Sequence, residues 1–414
     1  MAAHAAPALA PPRLHAAPKA RGRQYLGYSI AACVIGLSTP LQLEWGGILY
    51  ASEVLLALVA IWALFTRLMD AQFWRPPFTR LMLALGVTML AYVVTDLMLG
   101  TDARSLLRGW ARPLFVGTNL AGLYFLCRRN PYNLLIYAIS SASVSLAFLA
   151  ANGRLLEDWK FGASAPVTIL VACLVPLVLP RGVLLGSLAL TAIGLLHLAL
   201  DSREIGGNCL LAGALLVARC LAILRWKSLS WVVLGSLAAV GVGLFLWAYV
   251  LTDAEYSQRR HFSNAWRTAS LITAVGAIAD SPWLGNGSQT NNFELQSRYD
   301  SIFADRTGVR YRGQQTDTST FSPHSQILQA WFEAGVLGMA FFLYLGGRLV
   351  GALHFTIFQR RPDAFSVLFA FCLLRAIWHL LFSPFAGLAR LDVALAGAIV
   401  CVIGLERRSP TRTP

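Results

Sequence analysis

Apolar runs of roughly the length that crosses about 30 Å of hydrocarbon as a helix recur along most of the chain, separated by short polar turns. Their spacing predicts spans over 26–43, 48–66, 81–99, 112–127, 133–150, 164–180, 182–200, 208–224, 230–250, 324–347, 364–382 and 390–405. The runs are continuously apolar and do not alternate, which argues for helices and against a β-barrel. Only one long stretch breaks the pattern. Residues 251–323 are mostly polar and separate the ninth predicted span from the tenth. The expected fold is therefore all-α: a polytopic transmembrane helical bundle of about twelve spans, with one large loop holding short helices. Its expected layout is a disordered N-terminus over 1–25, spans one to nine over 26–250, the loop over 251–323, spans ten to twelve over 324–405, and a tail over 406–414.

Composition sharpens this picture. The chain is 57% hydrophobic and only 13% charged, well outside the range of soluble domains. Cys33, Cys127, Cys173, Cys209, Cys220, Cys372 and Cys401 all fall in or at the ends of apolar runs and read as small core residues. A formal net charge of +14 raises the question of nucleic acid. However, the basic residues sit in short clusters between apolar runs, with no aromatic-interleaved basic patch, so no nucleic-acid partner is expected.

Those clusters instead set the orientation. With the N-terminus inside, the cytoplasmic turns hold Arg67, Arg75 and Arg80, then Arg128 and Arg129, Arg181, Arg225 and Lys227, Arg348, Arg360 and Arg361, and finally Arg407, Arg408 and Arg412. Both chain ends are expected in the cytoplasm. The large loop then faces outward, and its seven arginines are balanced by seven acidic residues. Arg104, Arg108, Arg112 and Arg203 are also placed outside, against the charge rule, which an anionic ligand would explain.

Candidate chemistry collects around the large loop. In Ser322-Pro323-His324, the serine reads as a helix N-cap and the proline as the first helical residue. His324 would then lie in the first turn of a long helix, where the helix dipole favours neutral imidazole and a proton acceptor. Gln329 and Glu333 share one face below it. Arg267 opens an amphipathic segment, Trp266 to Ala279, with Ser263 and Asn264 as caps and Pro282 as terminator. Leu271, Val275 and Ile278 form its apolar face, which is too short to span and is expected at the membrane interface. Arg203 lies at the mouth of the seventh and eighth spans. Arg375 and His379 are one turn apart inside the eleventh span, where an arginine calls for a functional role or a structural pair with Glu333. No nucleotide-binding, zinc-protease, Cys-x-x-Cys or nucleophilic-serine motif is present, and Asp300, Asp305 and Asp317 form no recognisable metal cluster. No cofactor or metal is expected.

Taken together, Asp201-Ser202-Arg203, Arg267, Pro282-Trp283-Leu284-Gly285-Asn286-Gly287, His324-Ser325-Gln326-Ile327-Leu328-Gln329 and Glu333-Ala334-Gly335-Val336-Leu337-Gly338 resemble the bacterial O-antigen ligase and polysaccharide polymerase family. The signature covers 201–207 and 266–338. The first half of the chain matches only in its spans, and Ser325 stands where many relatives have asparagine. The resemblance implies an inverting, metal-independent glycosyltransferase of the bacterial inner membrane, with its active site on the periplasmic side. Its donor would be an oligosaccharide linked to undecaprenyl diphosphate, and its acceptor a glycan or a lipid-linked glycan. By the same resemblance His324, Arg267 and Arg203 are the catalytic candidates, with Arg203 and Arg267 binding the diphosphate; Gln329, Glu333, Arg375 and Arg108, singled out by their positions, are the further substrate-binding candidates. A flippase or chain-length regulator would be a further partner. The wording around His324 and the Trp45–Glu53 opening favour a repeat-unit polymerase. An O-antigen ligase acting on lipid A core is the alternative, and a flippase or transporter, which would place its polar residues near the bilayer midplane, a more remote one.

Overall fold

The computed structural model of the chain describes residues 22–44, 48–67, 70, 73–157, 159–179, 182–220, 254–288, 293–308, 323–359, 363–383 and 387–406. Most of the expected disordered N-terminus, the ninth span at 230–250, Asp317, Ser322 and the tail after residue 406 lie outside them. In chain order the helices are α1 (Gly22–Leu37), α2 (Ala51–Arg67), α3 (Phe78–Leu99), α4 (Ala103–Cys127), α5 (Tyr132–Ala151), α6 (Ser164–Val178), α7 (Gly182–Ala199) and α8 (Arg203–Cys220). After the undescribed segment come α9 (Ala254–Asp280), α10 (Phe293–Thr307), α11 (Gln326–Gly338), α12 (Ala340–His354), α13 (Ala364–Phe382) and α14 (Ala389–Glu406).

Among the described residues, five helical stretches are both long and apolar enough to cross a membrane: Phe78–Leu99, Tyr132–Ala151, Gly182–Ala199, Ala340–Phe358 and Phe365–Phe382. Exposure shows what surrounds them. Leu83, Leu90, Leu97 and Met98 of α3 and Leu188 and Leu195 of α7 point outward, a surface that a bilayer covers and water does not favour. The axis of the bundle is α13, where Val367, Leu368, Phe369, Ala370, Phe371 and Leu373 are fully buried, with α14 (Val393 to Ile403) packed beside it. The protein is a multi-pass helical membrane protein.

Short connections make successive helices antiparallel. The C-terminal ends of α3, α7 and α13 therefore meet the N-terminal ends of α4, α8 and α14 at one end of the bundle. Three local features differ from the sequence reading. A two-stranded hairpin, β1 (Gln42–Glu44) against β2 (Ile48–Tyr50) with Gln42 opposite Tyr50, joins α1 to α2; strands this short carry no legible alternation. Helix α4 begins nine residues before the expected 112, because the Asp102 side chain accepts hydrogen bonds from the Arg104 and Ser105 amides at 3.1 and 3.0 Å. Arg104 and Arg108 thus stand with Arg112 at four-residue intervals on one helix, instead of in the loop before it. Helix α9 likewise starts at Ala254, so Ser263 and Asn264 lie inside it and are not caps.

The expected single helix over 324–347 is broken. Ala334 and Gly335 leave helical geometry (φ 67° and ψ −169° at Gly335), and Met339 separates α11 from α12. Helix α11 occupies the half of the bundle nearer the polar end. Helix α12 continues toward the other end from the level of Thr88, whose hydroxyl accepts the Phe341 amide at 3.0 Å.

Candidate active site

The polar turn 281–288 sits in the break of α11 and explains it. Where the helix stops, the Phe332 and Glu333 carbonyls accept hydrogen bonds from the Asn286 and Gly287 amides at 2.8 and 3.0 Å, and the Val336 amide donates to the Pro282 carbonyl at 3.1 Å. The Trp331 indole also donates to the Pro282 carbonyl, at 2.9 Å. Three backbone groups freed by the break, the Phe332 and Glu333 carbonyls and the Val336 amide, thus find partners in the turn, as burial requires. Contact is backbone to backbone. A Cβ on Gly335 would collide with the Trp283 carbonyl, and one on Gly285 (φ 85°) would come within 2.5 Å of the Gly335 amide nitrogen. Gly335 thus lets a turn enter its own helix.

The first half of the chain holds this unit from below. Asp96, buried near the end of α3, accepts from the Ser288 amide and hydroxyl, both at 2.7 Å, from the Trp110 indole at 2.6 Å and from Thr101 at 2.9 Å. The Thr95 hydroxyl donates to the Leu284 carbonyl at 2.6 Å. Glu333 is fully buried; Tyr92 donates to it at 2.8 Å, Arg112 pairs with it at 3.0 Å, and Gln329 donates from the preceding turn. In this conformation Gln329 and Glu333 face protein. They fix the break of α11 to α3 and α4. Arg108, half-buried, lies one turn from Arg112 toward the polar end.

His324 is not in the first helical turn. The helix begins at Gln326, and Ser325 is the N-cap, its hydroxyl accepting from the Leu328 amide at 3.4 Å and donating to the Leu380 carbonyl at the end of α13 at 3.3 Å. His324 is therefore held immediately before the cap, half-buried between a fixed serine and α9. Its ring meets Trp266 edge-on, centroids 6.3 Å apart. Burial, and then the charge of Arg267, lower its pKa below the ordinary histidine value. The ring is neutral at pH 7 and can accept a proton. Arg267 itself is exposed, on the same face of α9 as the exposed Leu271 and Val275. The opposite face, Ala265, Ala269, Thr273, Ala274 and Ala277, is buried. Ile278, read from spacing as part of the apolar outer face, turns inward instead.

Arg203 is the first residue of α8. Asp201 before it takes a left-handed conformation (φ 57°) that turns the chain out of α7, and its carboxylate is shared by Arg203 at 3.2 Å and Lys160 at 3.4 Å. Helix α8 packs on α13, so Arg203 reaches the same end of the bundle as His324. The expected pair between Arg375 and Glu333 does not form. Glu333 takes Arg112, while Arg375 pairs with Asp392 of α14 at 2.9 Å and lies 4.0 Å from Glu204, with His379 3.7 Å from both carboxylates. Tyr92, Asp96, Trp110, Glu204 and Asp392 were not singled out by sequence. For Asp96 and Asp392, an acid inside an otherwise apolar run was the available signal. Among the described residues, no group of three or more His, Cys, Asp or Glu side chains is arranged to hold a metal ion.

An apolar helical bundle with polar side chains gathered at one end defines a multi-pass membrane protein. Residues 166–343, from α6 to α12, match the family model described as O-Antigen ligase, which supports the resemblance to the O-antigen ligase and polysaccharide polymerase family. The match takes in Arg203, Arg267, the turn at 282–287, His324 and Glu333, and leaves out α3, α4, α13 and α14, which hold them in place. The search of curated proteins found no match.

Proposed function

We propose that the site at this polar end transfers a glycan from undecaprenyl diphosphate to a sugar hydroxyl on the periplasmic face of the inner membrane, with inversion and without a metal. The observation that carries this reading is His324: a neutral imidazole, next to a serine held to α13, beside an arginine on the exposed face of α9. In the proposed reaction the acceptor oxygen attacks the anomeric carbon as the bond from that carbon to the phosphate oxygen breaks. The electron pair leaves with undecaprenyl diphosphate, and the acceptor proton passes to His324. Arg267 and Arg203 meet the growing charge on the leaving group. Arg108, on the helix that descends to Arg112, is a further diphosphate contact in this reading. The end opposite the site carries Arg67, Arg75, Arg128 and Arg129, which supports a cytoplasmic placement for that end and a periplasmic one for the site.

The leading form of this function is a repeat-unit polymerase, which the sequence around His324 and at Trp45–Glu53 resembles. A second reading, under the same family match, is a ligase to lipid A core. Purified protein given lipid-linked donor with lipid A core in one reaction, and lipid-linked repeat units alone in another, separates them by product. In either case His324→Ala and Arg267→Ala should each lower transfer by about 10²-fold or more, the usual contribution of a positioned base or charge donor. Wild-type product formation by both variants would overturn the mechanism.

A further inference from the structure

The Ser325 hydroxyl, next to His324 in sequence, donates to the Leu380 carbonyl of α13, and the residue before Leu380, His379, belongs to a set of polar groups that the transfer chemistry above does not use. It consists of Glu204 on α8, Arg375 and His379 on α13, and Asp392 on α14. Asn208 lies one turn beyond Glu204 on the same face of α8. His379 and Asn208 are each 6% exposed. Both ring nitrogens of His379, Nδ2 of Asn208, Oε1 of Glu204 and Nε of Arg375 are buried and make no hydrogen bond, while Oδ2 of Asp392 meets only the Arg375 guanidinium, at 2.9 Å, with His379 Nε2 3.7 Å away. The ion pair between Arg375 Nη2 and Asp392 Oδ2 leaves the other atoms of the set without a hydrogen bond. Unmet polar atoms at this density inside a helical bundle are costly; elsewhere here, Glu333 and Asp96 are saturated with donors.

The charge of the set decides what it accepts. Two carboxylates and one guanidinium, with a histidine, give no positive excess, so a diphosphate is disfavoured. Carboxylate, guanidinium, amide and imidazole edges instead supply paired donors and acceptors for a neutral ligand with many hydroxyls. We propose that Glu204, Asn208, Arg375, His379 and Asp392 form a saccharide subsite that holds the acceptor glycan's hydroxyls while one of them is presented to His324. This rests on the glycosyl-transfer reading and adds to it the site where the acceptor sits. Arg375 thereby binds sugar, whereas Arg203 and Arg267 bind the donor's diphosphate. Glu204, one-third exposed, marks the entrance.

The test uses full-length protein in nanodiscs and two probes. One is the oligosaccharide released by mild acid from the host's lipid-linked intermediate, and the other is undecaprenyl diphosphate. Binding of each is measured directly, without turnover. Glu204→Gln and His379→Gln should weaken oligosaccharide binding at least tenfold and raise the acceptor KM with little change in kcat, leaving undecaprenyl diphosphate binding within twofold. Arg267→Ala should do the reverse. Asp392→Asn tests the buried end; if it fails to fold, Glu204→Gln at the entrance still decides the matter. Folded Glu204→Gln and His379→Gln proteins that bind oligosaccharide like wild type would overturn the subsite. So would wild-type protein that catalyses transfer yet binds no oligosaccharide, since the groups would then hold only water. If wild-type protein bound oligosaccharide through these residues but transferred no glycan, the functional reading would fall and the subsite would stand.

Discussion

His324 shows what a neighbouring charge does to one residue. Its environment lowers the pKa, first by burial and second by Arg267, so the neutral base persists to lower pH than for an ordinary histidine near 6.5. Removing the arginine takes away only the second cause. In Arg267→Gln the protonation midpoint should therefore rise toward the ordinary value and stop short of it, because the burial remains. The rate of modification of His324 by diethyl pyrocarbonate against pH, read by peptide mass spectrometry, reports that midpoint without requiring activity. An unchanged midpoint would mean that Arg267 does not act on His324. Glu333 makes the complementary point: a carboxylate inside an apolar run was legible as something needing a partner, but Arg112, 221 positions away, was not legible as that partner.

At the scale of elements, the unit formed by the 281–288 turn and the broken α11 is the feature on which the site depends. The break sets the angle between α11 and α12 and so fixes where Ser325 and His324 meet α13. Gly335→Ala places a Cβ where φ is 67° and against the Trp283 carbonyl. The backbone strain alone is about 1–3 kcal/mol, and the collision adds to it. Thermal unfolding of the purified protein should show a lower midpoint, with transfer reduced as His324 loses its position. A variant as stable as wild type would show that the turn does not enter the helix as described. Sequence pattern foresaw α13 and α14 almost to the residue, because their apolar runs end in clear polar signals such as the Asp363 cap with Ser366. It missed the starts of α4 and α9, where the first turns are polar and the helices are stabilised by a cap or by packing.

At the scale of the whole molecule, Glu53 and Arg390 tie the two ends of the chain together. Arg390 donates to both carboxylate oxygens of Glu53 at 2.7 Å and to the Ile48 carbonyl at 2.9 Å, and Asn119 and the Tyr50 amide complete the carboxylate's shell. Losing one member of a buried pair costs about 3–5 kcal/mol, whereas replacing both with apolar residues of similar volume is often close to neutral. Arg390→Met alone should thus destabilise the protein strongly, and Glu53→Leu with Arg390→Met should recover much of the loss in denaturant unfolding. Equal loss in single and double variants would rule out the pair as the source. The Trp45–Glu53 opening, read as a family resemblance, thereby contains one half of this tie.

What the sequence by itself determined is the solvent and the scaffold. Continuous apolar runs require a bilayer and helices, and arginine placement along the chain points the polar end one way. The outlying residues Arg203, Arg267 and His324 were also visible, because polar groups at the borders of apolar runs stand out against their neighbours. Only the tertiary structure decided how they are held. The pairs that do so, Arg112 with Glu333, Asp96 with Ser288, Arg375 with Asp392 and Ser325 with Leu380, join residues far apart in sequence. No local period encodes such pairs. They follow from the packing of α3, α4, α8, α13 and α14 around α11, where each buried polar group must find its partner or wait for a ligand.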